Sequence, residues 1–317
     1  MHYHFNTSTS KIHLNLHWLN IPSSLTSSCN SSLFCLMTSS IDSILCPDSL
    51  ILFGILLVQG LIGFLNPVYF ITLGYGNSIN FYGITIIILT VIHAHKTSWN
   101  IYLIQIVIQG VMYIAYGLRM TIFIFMRNRN QNYRQSRDGQ MKIDARFFKR
   151  IMLWLSVEIL YYSYCMSALI GLTAIKGHFT FNSLMHWVGM GIMAVGLLFE
   201  SIGDYQKSRS KRVNPNRFCD SGIYRIVRMP NYFGEMTFWI GSYLCGIGDT
   251  KSILQIILGS LGVLFAVMLM IGAAMRLERN QDENYRDNPE YSLYRNSTPI
   301  LFPLLPIYSL SWGSKTD

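Results

Sequence analysis

The sequence predicts an all-α polytopic membrane protein with about seven transmembrane helices, each needing about 20 mostly apolar residues. Hydrophobic residues make up 51% of the 317 residues and charged residues only 13%, whereas about a quarter of a typical soluble protein is charged. Several apolar runs are long enough to span a bilayer. The basic residues lie between these runs and do not form a soluble basic domain, so the pattern does not favour nucleic-acid binding.

The apolar runs give the helices in chain order. The second predicted span is short, because His93, His95 and Lys96 crowd its end. The predicted spans cover residues 49–73, 79–95, 99–126, 151–175, 183–203, 232–249 and 252–275.

The charges between the spans predict the topology. Segment 127–150 carries eight basic residues against two acidic ones, and segment 204–231 carries seven against two. The positive-inside rule assigns both segments to the cytosol. With two spans between them and two more before the tail, the C-terminus is also expected in the cytosol and the N-terminus on the opposite side. Three polar segments then meet at one face, where loops and tail would form a vestibule for a cofactor.

The ends of the chain differ from this membrane domain. Residues 1–47 are rich in Ser, Thr, Asn and His and contain no acid before Asp42, a composition that predicts a disordered extension. Residues 48–310 are predicted to form a single membrane domain, followed by a short tail at 311–317. The basic loops are also expected to contact anionic membrane lipids.

Two short patterns predict structure and not chemistry. The six cysteines show no CxxC or metal-like spacing, so no metal site is predicted. Gly189-Met-Gly191 followed by Gly196 lies inside an apolar span, without the strand that a dinucleotide-binding loop requires. We interpret these glycines as helix contacts.

Polar residues at the predicted cytosolic face are the candidate binding residues. An ionisable side chain inside a span, such as Glu235, costs roughly 2.5–3.5 kcal/mol unless it is paired. Basic side chains there suit phosphate groups. Residues expected to line the vestibule are Asp204, Lys207, Arg225, Arg228, Asn231, Tyr232, Arg276 and Tyr294. In the tail, Tyr291 and Tyr294 share one helix face, with Arg295 beside them.

The same segments resemble the steroid 5-alpha-reductase C-terminal domain family. The resemblance is carried by Gly222-Ile-Tyr-Arg225, by Arg228-Met-Pro-Asn-Tyr-Phe-Gly-Glu235 and by Tyr291-Ser-Leu-Tyr294-Arg295. It extends over about residues 80–310 and is greatest to a branch with the signature Arg-His-Pro-Asn-Tyr-x-Gly-Glu. Upstream, Gly117-Leu-Arg119 to Arg127 resembles the family's Arg-Leu helix.

The resemblance implies a membrane reductase that uses NADPH to reduce an activated C=C bond, an enone, in a steroid or other lipid within the bilayer. Its implied cofactor-binding residues are Asp204, Lys207, Arg225, Arg228, Asn231, Tyr232, Glu235, Arg276, Tyr291, Tyr294 and Arg295. Candidate catalytic residues are Glu235 and Tyr232. The reaction needs hydride alignment, a donor to polarise the carbonyl and exclusion of water.

The sequence departs from the family pattern at two places. Met229 stands where the signature has histidine, and no acid lies between residues 49 and 137, although steroid 5-alpha-reductases carry a glutamate on an early span. Gln59-Gly60 occupies the corresponding place. The substrate chemistry is therefore less defined by the resemblance than the cofactor.

Two alternative functions remain open from the sequence. A membrane methyltransferase of the isoprenylcysteine or phospholipid type would bind S-adenosylmethionine, and Asp282-Glu283 stands near the position of its paired glutamates. A non-catalytic lipid-binding homologue would explain both Met229 and the missing early acid.

Overall fold

A computed structural model describes residues 46–97, 99–128, 146–176, 183–247 and 253–310. Within these ranges all regular structure is helical, which confirms the predicted all-α class. The predictions for residues 1–45 and 311–317 and most of the basic loop 127–150 lie outside the described residues.

The helices follow the apolar runs, with different boundaries. The α-helices are α1 (Pro47–Gly60), α2 (Leu73–Thr97), α3 (Ile101–Asn128), α4 (Phe147–Tyr164), α5 (Met166–Lys176), α6 (Ser183–Val213), α7 (Pro230–Ile247), α8 (Ile253–Tyr285) and α9 (Pro289–Ser297). Short 3₁₀ helices cover Leu61–Phe64, Pro67–Ile71 and Gly222–Arg225.

The predicted first span is wrong as one continuous helix. It comprises α1 and two 3₁₀ helices, separated at Asn66, whose side chain accepts a hydrogen bond from the Val68 amide at 3.0 Å. Pro67 begins the second 3₁₀ helix, because proline lacks an N–H and suits the first turn of a helix. The second span is longer than predicted, because α2 begins at Leu73 with polar residues that face inward.

By length and composition, five segments qualify as membrane spans: Pro47–Phe64, Leu73–Lys96, Ile101–Arg127, Ser183–Val213 and Ile253–Tyr285. Helices α4 and α5 make a sixth candidate, bent by 53°. These apolar helices identify an integral membrane protein. Helix α7 does not meet the same criterion among the described residues, since Glu235, Ser242 and several glycines lower its hydropathy. It is nevertheless largely buried among the other helices.

Glycine seams set the closest helix contacts. A Cβ on Gly196 of α6 would lie 2.6 Å from the Gly234 carbonyl of α7, and a Cβ on Gly241 would lie 2.6 Å from the Gly189 carbonyl. The backbones of α6 and α7 therefore touch in antiparallel order, as small residues permit in membranes. Gly189 and Gly196 are confirmed as helix contacts, whereas Gly191 faces open space.

Glycines also bring the backbones of α2 and α3 into contact. A Cβ on Gly117 would lie 2.6 Å from the Gly76 carbonyl, and one on Gly83 would lie 2.6 Å from the Gly110 carbonyl. These pairings make α2 and α3 antiparallel. The end of α3, the end of α6, the start of α7 and the end of α8 meet at one end of the bundle, which we call the charged face.

Candidate functional site

A groove of about 750 Å³ lies at the charged face between α3 and α6. Its walls combine basic and apolar side chains, so it suits a ligand that is both anionic and partly apolar. The lining residues are Arg119, Ile122, Phe123, Met126, Arg127, Ser201, Asp204, Tyr205, Ser208, Lys211 and Arg212.

The basic residues of the groove are not equivalent. The Lys211 ammonium donates to the carbonyls of Pro215 and Arg217 and to the Tyr285 hydroxyl, at 2.9, 2.7 and 2.8 Å. Since an ammonium has three donors, Lys211 contributes charge while its donors hold the loop after α6. Arg127 and Arg212 are exposed at the groove, and Arg212 is the better candidate for binding an anion.

The groove's inner wall is an ion cluster that joins α3 to α6. Arg119 donates to Asp204 Oδ2 at 2.6 Å through Nη1 and to Glu200 Oε1 through Nη2. Glu200 is buried, and the carboxylate of Glu235 lies near enough to interact electrostatically with Arg119. Three carboxyl groups thus surround one guanidinium. A buried charge requires such pairing, and the sequence signal for it was an arginine inside an apolar helix.

Two buried atoms of this cluster have no hydrogen-bond partner among the described residues, Arg119 Nε and Glu200 Oε2. Buried polar atoms without partners are uncommon and require an explanation. Both belong to side chains beside the groove. The cluster therefore retains capacity to bind a further polar group.

Behind this cluster lies a hydrogen-bonded group centred on Tyr75 of α2. The Tyr75 hydroxyl donates to Glu235 Oε1 at 3.0 Å and accepts from Trp239 Nε1 at 2.9 Å. The Tyr116 hydroxyl of α3 lies 2.9 Å from it and completes the set as a donor. The phenol proton of Tyr75 is thereby directed at a buried carboxyl group.

Aromatic rings enclose this group on several sides. The Tyr75 ring lies 4.9 Å from Tyr161 and the Tyr116 ring 4.5 Å from Phe238, measured between centroids. Tyr164 packs 5.0 Å from Trp239. Such packing excludes water, and in a low dielectric each hydrogen bond to a charged group is stronger.

A second buried acid, Glu158 of α4, lies beside the same end of α2. Its Oε2 accepts from the Ser78 hydroxyl at 3.5 Å, while Oε1 has no partner among the described residues. The carboxyl group fills the space that Gly60 leaves at the end of α1, since a Cβ on residue 60 would collide with it. Tyr75 and Ser78 are one helical turn apart, so two buried acids flank the first turns of α2.

The structure brings one subset of the predicted binding residues together. Tyr232 lies within electrostatic reach of Asp204, Glu235 and Arg276, and Lys207 is within reach of Asp204. Of these residues Asp204 lines the groove, whereas Lys207, Tyr232, Glu235 and Arg276 are not among its lining residues. Sequence reasoning did not include Arg119, Glu200, Tyr75 and Tyr116 in this set. Tyr75 and Tyr116 carried no sequence signal beyond being tyrosines in apolar helices.

A different subset holds the C-terminal tail. Arg228 is fully buried and its Nη2 donates to Glu278 Oε1 at 2.9 Å. Arg295 donates to Asp282 at 3.0 and 3.2 Å, and the Tyr291 hydroxyl donates to Asp282 at 2.7 Å. The binding role predicted for these residues from sequence stays a prediction, and in this structure their polar atoms bind α8.

The remaining predicted residues lie around these two subsets. The Tyr294 hydroxyl donates to the Tyr224 carbonyl at 2.7 Å, and burial raises the pKa of Tyr294 above its ordinary value. Tyr294 is thus a stable neutral donor at physiological pH. Arg225 is exposed at the last position of its 3₁₀ helix, and Asn231 is half-buried in the first turn of α7. Met229 is fully buried in an apolar cluster.

One family profile matches most of the chain. The profile of DUF1295, a protein family of unknown function, matches residues 69–298. No curated protein matches the chain, and no solved structure matches it. The match spans most of the membrane domain, from the second 3₁₀ helix through α9. The chain therefore belongs to DUF1295, a family related to the steroid 5-alpha-reductase-like proteins.

Proposed function

We propose that the protein is a membrane-embedded, NADPH-dependent reductase of an activated C=C bond, an enone, in a steroid or other lipophilic molecule. One observation carries this proposal: a buried phenol, Tyr75, donates to a buried carboxyl group, Glu235, directly behind a basic groove at the charged face. The proposal assigns a soluble cofactor to the groove and a lipophilic substrate to the neighbourhood of the phenol, because Tyr75 belongs to an apolar helix long enough to span a membrane.

The donor set of the groove fits NADPH. Its volume of about 750 Å³ is within the 300–1,000 Å³ typical of cofactor sites. Arg127 and Arg212 would bind phosphate groups, and Phe123 and Tyr205 offer apolar surface to the rings. At the inner end of the groove, the Nε of Arg119 has no hydrogen-bond partner among the described residues and could donate to a polar group of the cofactor. When bound, NADPH would supply the hydride that adds to the β-carbon of the enone.

The chain's own residues would supply the complementary proton. When an enone binds, the Tyr75 hydroxyl would turn its single proton from Glu235 to the enone carbonyl oxygen and stabilise the negative charge that develops there. Trp239 and Tyr116 would continue to donate to the phenol oxygen. The enolate would then take this proton from the Tyr75 phenol at its α-carbon, and the phenolate left on Tyr75 would be reprotonated from solvent before the next turnover. The aromatic rings around Tyr75 would exclude water from the reacting atoms.

The first span lacks the glutamate that the resemblance would lead one to expect, but a carboxyl group from another helix lies next to that position. Gly60 stands where the resemblance would expect a glutamate, and the carboxyl group of Glu158, contributed by α4, fills the adjacent space. Glu158 thus supports a reductase in which the acid comes from a different helix. Met229 is a core residue here, so the proposal assigns no chemistry to that position.

Cofactor binding tests the first half of the proposal. We expect NADPH to raise the melting temperature of the detergent-purified protein, because a ligand that binds the folded state stabilises it. Arg212→Ala should weaken this effect at least tenfold in apparent Kd. Arg209→Ala is the matched control, because Arg209 is an exposed arginine on the same helix that does not line the groove.

An equal loss in both variants, or no saturable NADPH effect at all, would contradict the assignment of the groove. A melting-temperature increase with S-adenosylmethionine and none with NADPH would support the methyltransferase alternative instead. No contact favours that alternative at Asp282, whose carboxylate binds Tyr291 and Arg295.

Measurement of turnover tests the second half of the proposal, in which Tyr75 acts as the proton donor. With NADPH oxidation followed against a panel of lipophilic enones, Tyr75→Phe should retain NADPH binding and lower kcat by roughly 10²–10⁴-fold, the usual range for a lost general acid. Tyr82→Phe is the control, because the Tyr82 hydroxyl binds the Cys165 carbonyl at 2.8 Å, away from Glu235. Similar kcat values for both variants would exclude Tyr75 as the donor. Intact NADPH and lipid binding without any turnover would favour a non-catalytic homologue.

A further inference from the structure

The tail after α9 forms an apolar loop, residues 298–310, which we call the strap. The Ile300 amide donates to the Ile307 carbonyl at 2.8 Å, which closes the loop, and its tip contains Pro303-Leu304-Leu305-Pro306. No charged residue lies between Arg295 and Lys315. This is unusual for a segment that follows the polar helix α9.

Both ends of the strap are held by two buried charged residues, Arg228 through its backbone and side chain and Glu278 through its side chain. The Arg228 amide donates to the Pro299 carbonyl at 2.8 Å, and Arg228 Nη2 also donates to the Tyr308 carbonyl. Glu278 Oε2 accepts from the Leu310 amide at 2.9 Å. Because these contacts lie at both ends and not at the tip, they fix the position of the tip without covering it.

The base of the strap packs into an apolar cluster between α7 and α8. Ile300 and Leu301 are fully buried in one cluster with Met229, which precedes α7, Met236 of α7 and Ala274 of α8. Phe302 packs against this cluster, as do Val267 and Met270 of α8. These α8 residues belong to a helix that is long and apolar enough to span a membrane. The base of the strap is therefore at the level where α8 leaves the apolar region.

The tip exposes apolar side chains at that level. Leu304 is 94% exposed and Leu305 49%, and Tyr308 at the returning arm is also exposed, as tyrosines at membrane interfaces commonly are. A polar tip would be expected if water surrounded it. An apolar tip with aromatic and proline neighbours and no charge instead suits an interfacial anchor.

We propose that the strap is a membrane anchor whose tip, Leu304 and Leu305, inserts into the lipid leaflet at the charged face. The partner is the acyl-chain region of the bilayer. Insertion would tie the buried Arg228–Glu278 pair, and with it the start of α7, to the membrane surface. This assignment does not depend on the proposed enzymatic function.

Depth measurement on the full chain in phosphatidylcholine liposomes tests the proposal. A nitroxide label is attached at Leu304→Cys, in a background whose other cysteines are replaced by alanine, and its collisions with oxygen and with a water-soluble nickel chelate are measured. The control is Arg286→Cys, an exposed position beyond the end of α8. Leu304 is exposed, so its labelling should leave the fold unchanged.

We expect the label at residue 304 to collide several-fold more with oxygen, and several-fold less with the nickel chelate, than the label at residue 286. Equal access of the chelate to both positions would overturn the proposal. Shielding of residue 304 from both reagents would also overturn it, because the strap would then be covered by protein. A second measurement addresses the case in which the labelled variant does not fold. The unlabelled double variant Leu304→Ser/Leu305→Ser should lower the melting temperature in liposomes but not in detergent. Equal effects in liposomes and in detergent would contradict anchoring.

Discussion

Arg119 shows how one side chain can hold two parts of a membrane protein together. Arg119 lies inside α3, well before the helix ends, and its side chain pairs with Asp204 and Glu200 of α6. Neither partner could be identified from sequence, because the pairing depends on which helices are neighbours. What the sequence did indicate was the need for a partner, since an isolated charge inside a span is costly.

Removing this guanidinium should be strongly destabilising. In Arg119→Met the buried carboxylate of Glu200 and the partly buried carboxylate of Asp204 lose their counter-charge. We expect the free energy of unfolding to fall by about 3–5 kcal/mol, as for other broken buried pairs. Denaturant unfolding in detergent, followed by tryptophan fluorescence, would measure it.

The control for Arg119 is Arg209→Met on exposed α6 surface, which should change stability by no more than about 0.5 kcal/mol. Adding Glu200→Gln to Arg119→Met should restore part of the loss, because it removes one of the unpaired charges. Failure of the second substitution to restore anything would mean that packing, and not charge, explains the effect of the first.

At the scale of helices, glycine spacing decides which pairs touch. The glycine pairs 189 with 241 and 196 with 234 bring α6 and α7 into backbone contact, and this contact carries Glu235 toward Glu200 and Asp204. The glycines recur at intervals that return to the same helix face, so a regular small-residue stripe was readable in the sequence. The sequence did not indicate which two glycine stripes would contact each other.

Two alanine substitutions on α6 should have opposite effects. Gly196→Ala should cost about 1–3 kcal/mol by overpacking, because its Cβ would lie 2.5 Å from the Phe238 amide nitrogen and 2.6 Å from the Gly234 carbonyl oxygen. Gly191→Ala meets nothing within 4 Å and should stabilise the helix by up to about 1 kcal/mol.

Thermal unfolding of the two variants, monitored by size-exclusion chromatography of the heated protein in detergent, compares them directly. A melting temperature above that of the parent protein for Gly191→Ala and below it for Gly196→Ala is expected. Two equal shifts of the same sign would show that the α6–α7 seam is looser than the structure has it.

For the whole molecule, the antiparallel order of α2 with α3 and of α6 with α7 brings the ends of α3, α6 and α8 to the charged face. This arrangement agrees with the predicted convergence of the polar segments. The side of the membrane on which the charged face lies follows only from the positive-inside rule, which counts basic residues near span ends. The cytosolic location of the charged face remains a prediction.

Single-cysteine labelling in sealed vesicles of known sidedness tests that location. Arg209→Cys and Arg286→Cys should react with a membrane-impermeant maleimide only from the cytosolic side. Lys96→Cys, at the opposite end of α2, should react only from the other side. Labelling of residues 96 and 209 from the same side would contradict the topology.

The sequence by itself determined the helical class, the approximate position of most spans, the face that collects charge and the family-like motif from Gly222 to Glu235. These properties follow from local composition and periodicity, which each segment carries independently of its neighbours. The break at Asn66 in the first predicted span escaped this reasoning, because hydropathy does not distinguish an apolar turn from an apolar helix.

Only the tertiary structure decided which polar residues act together. It separated the Asp204 and Tyr232 subset from the Arg228 and Arg295 subset, although both belong to the same motif-bearing segments. It also joined Tyr75 to Glu235, and His93 to Asp48 at 3.3 Å, across large sequence separations. The physical reason is that a buried polar group must find its partner on another helix, and helix packing alone determines which partner is within a hydrogen bond's reach.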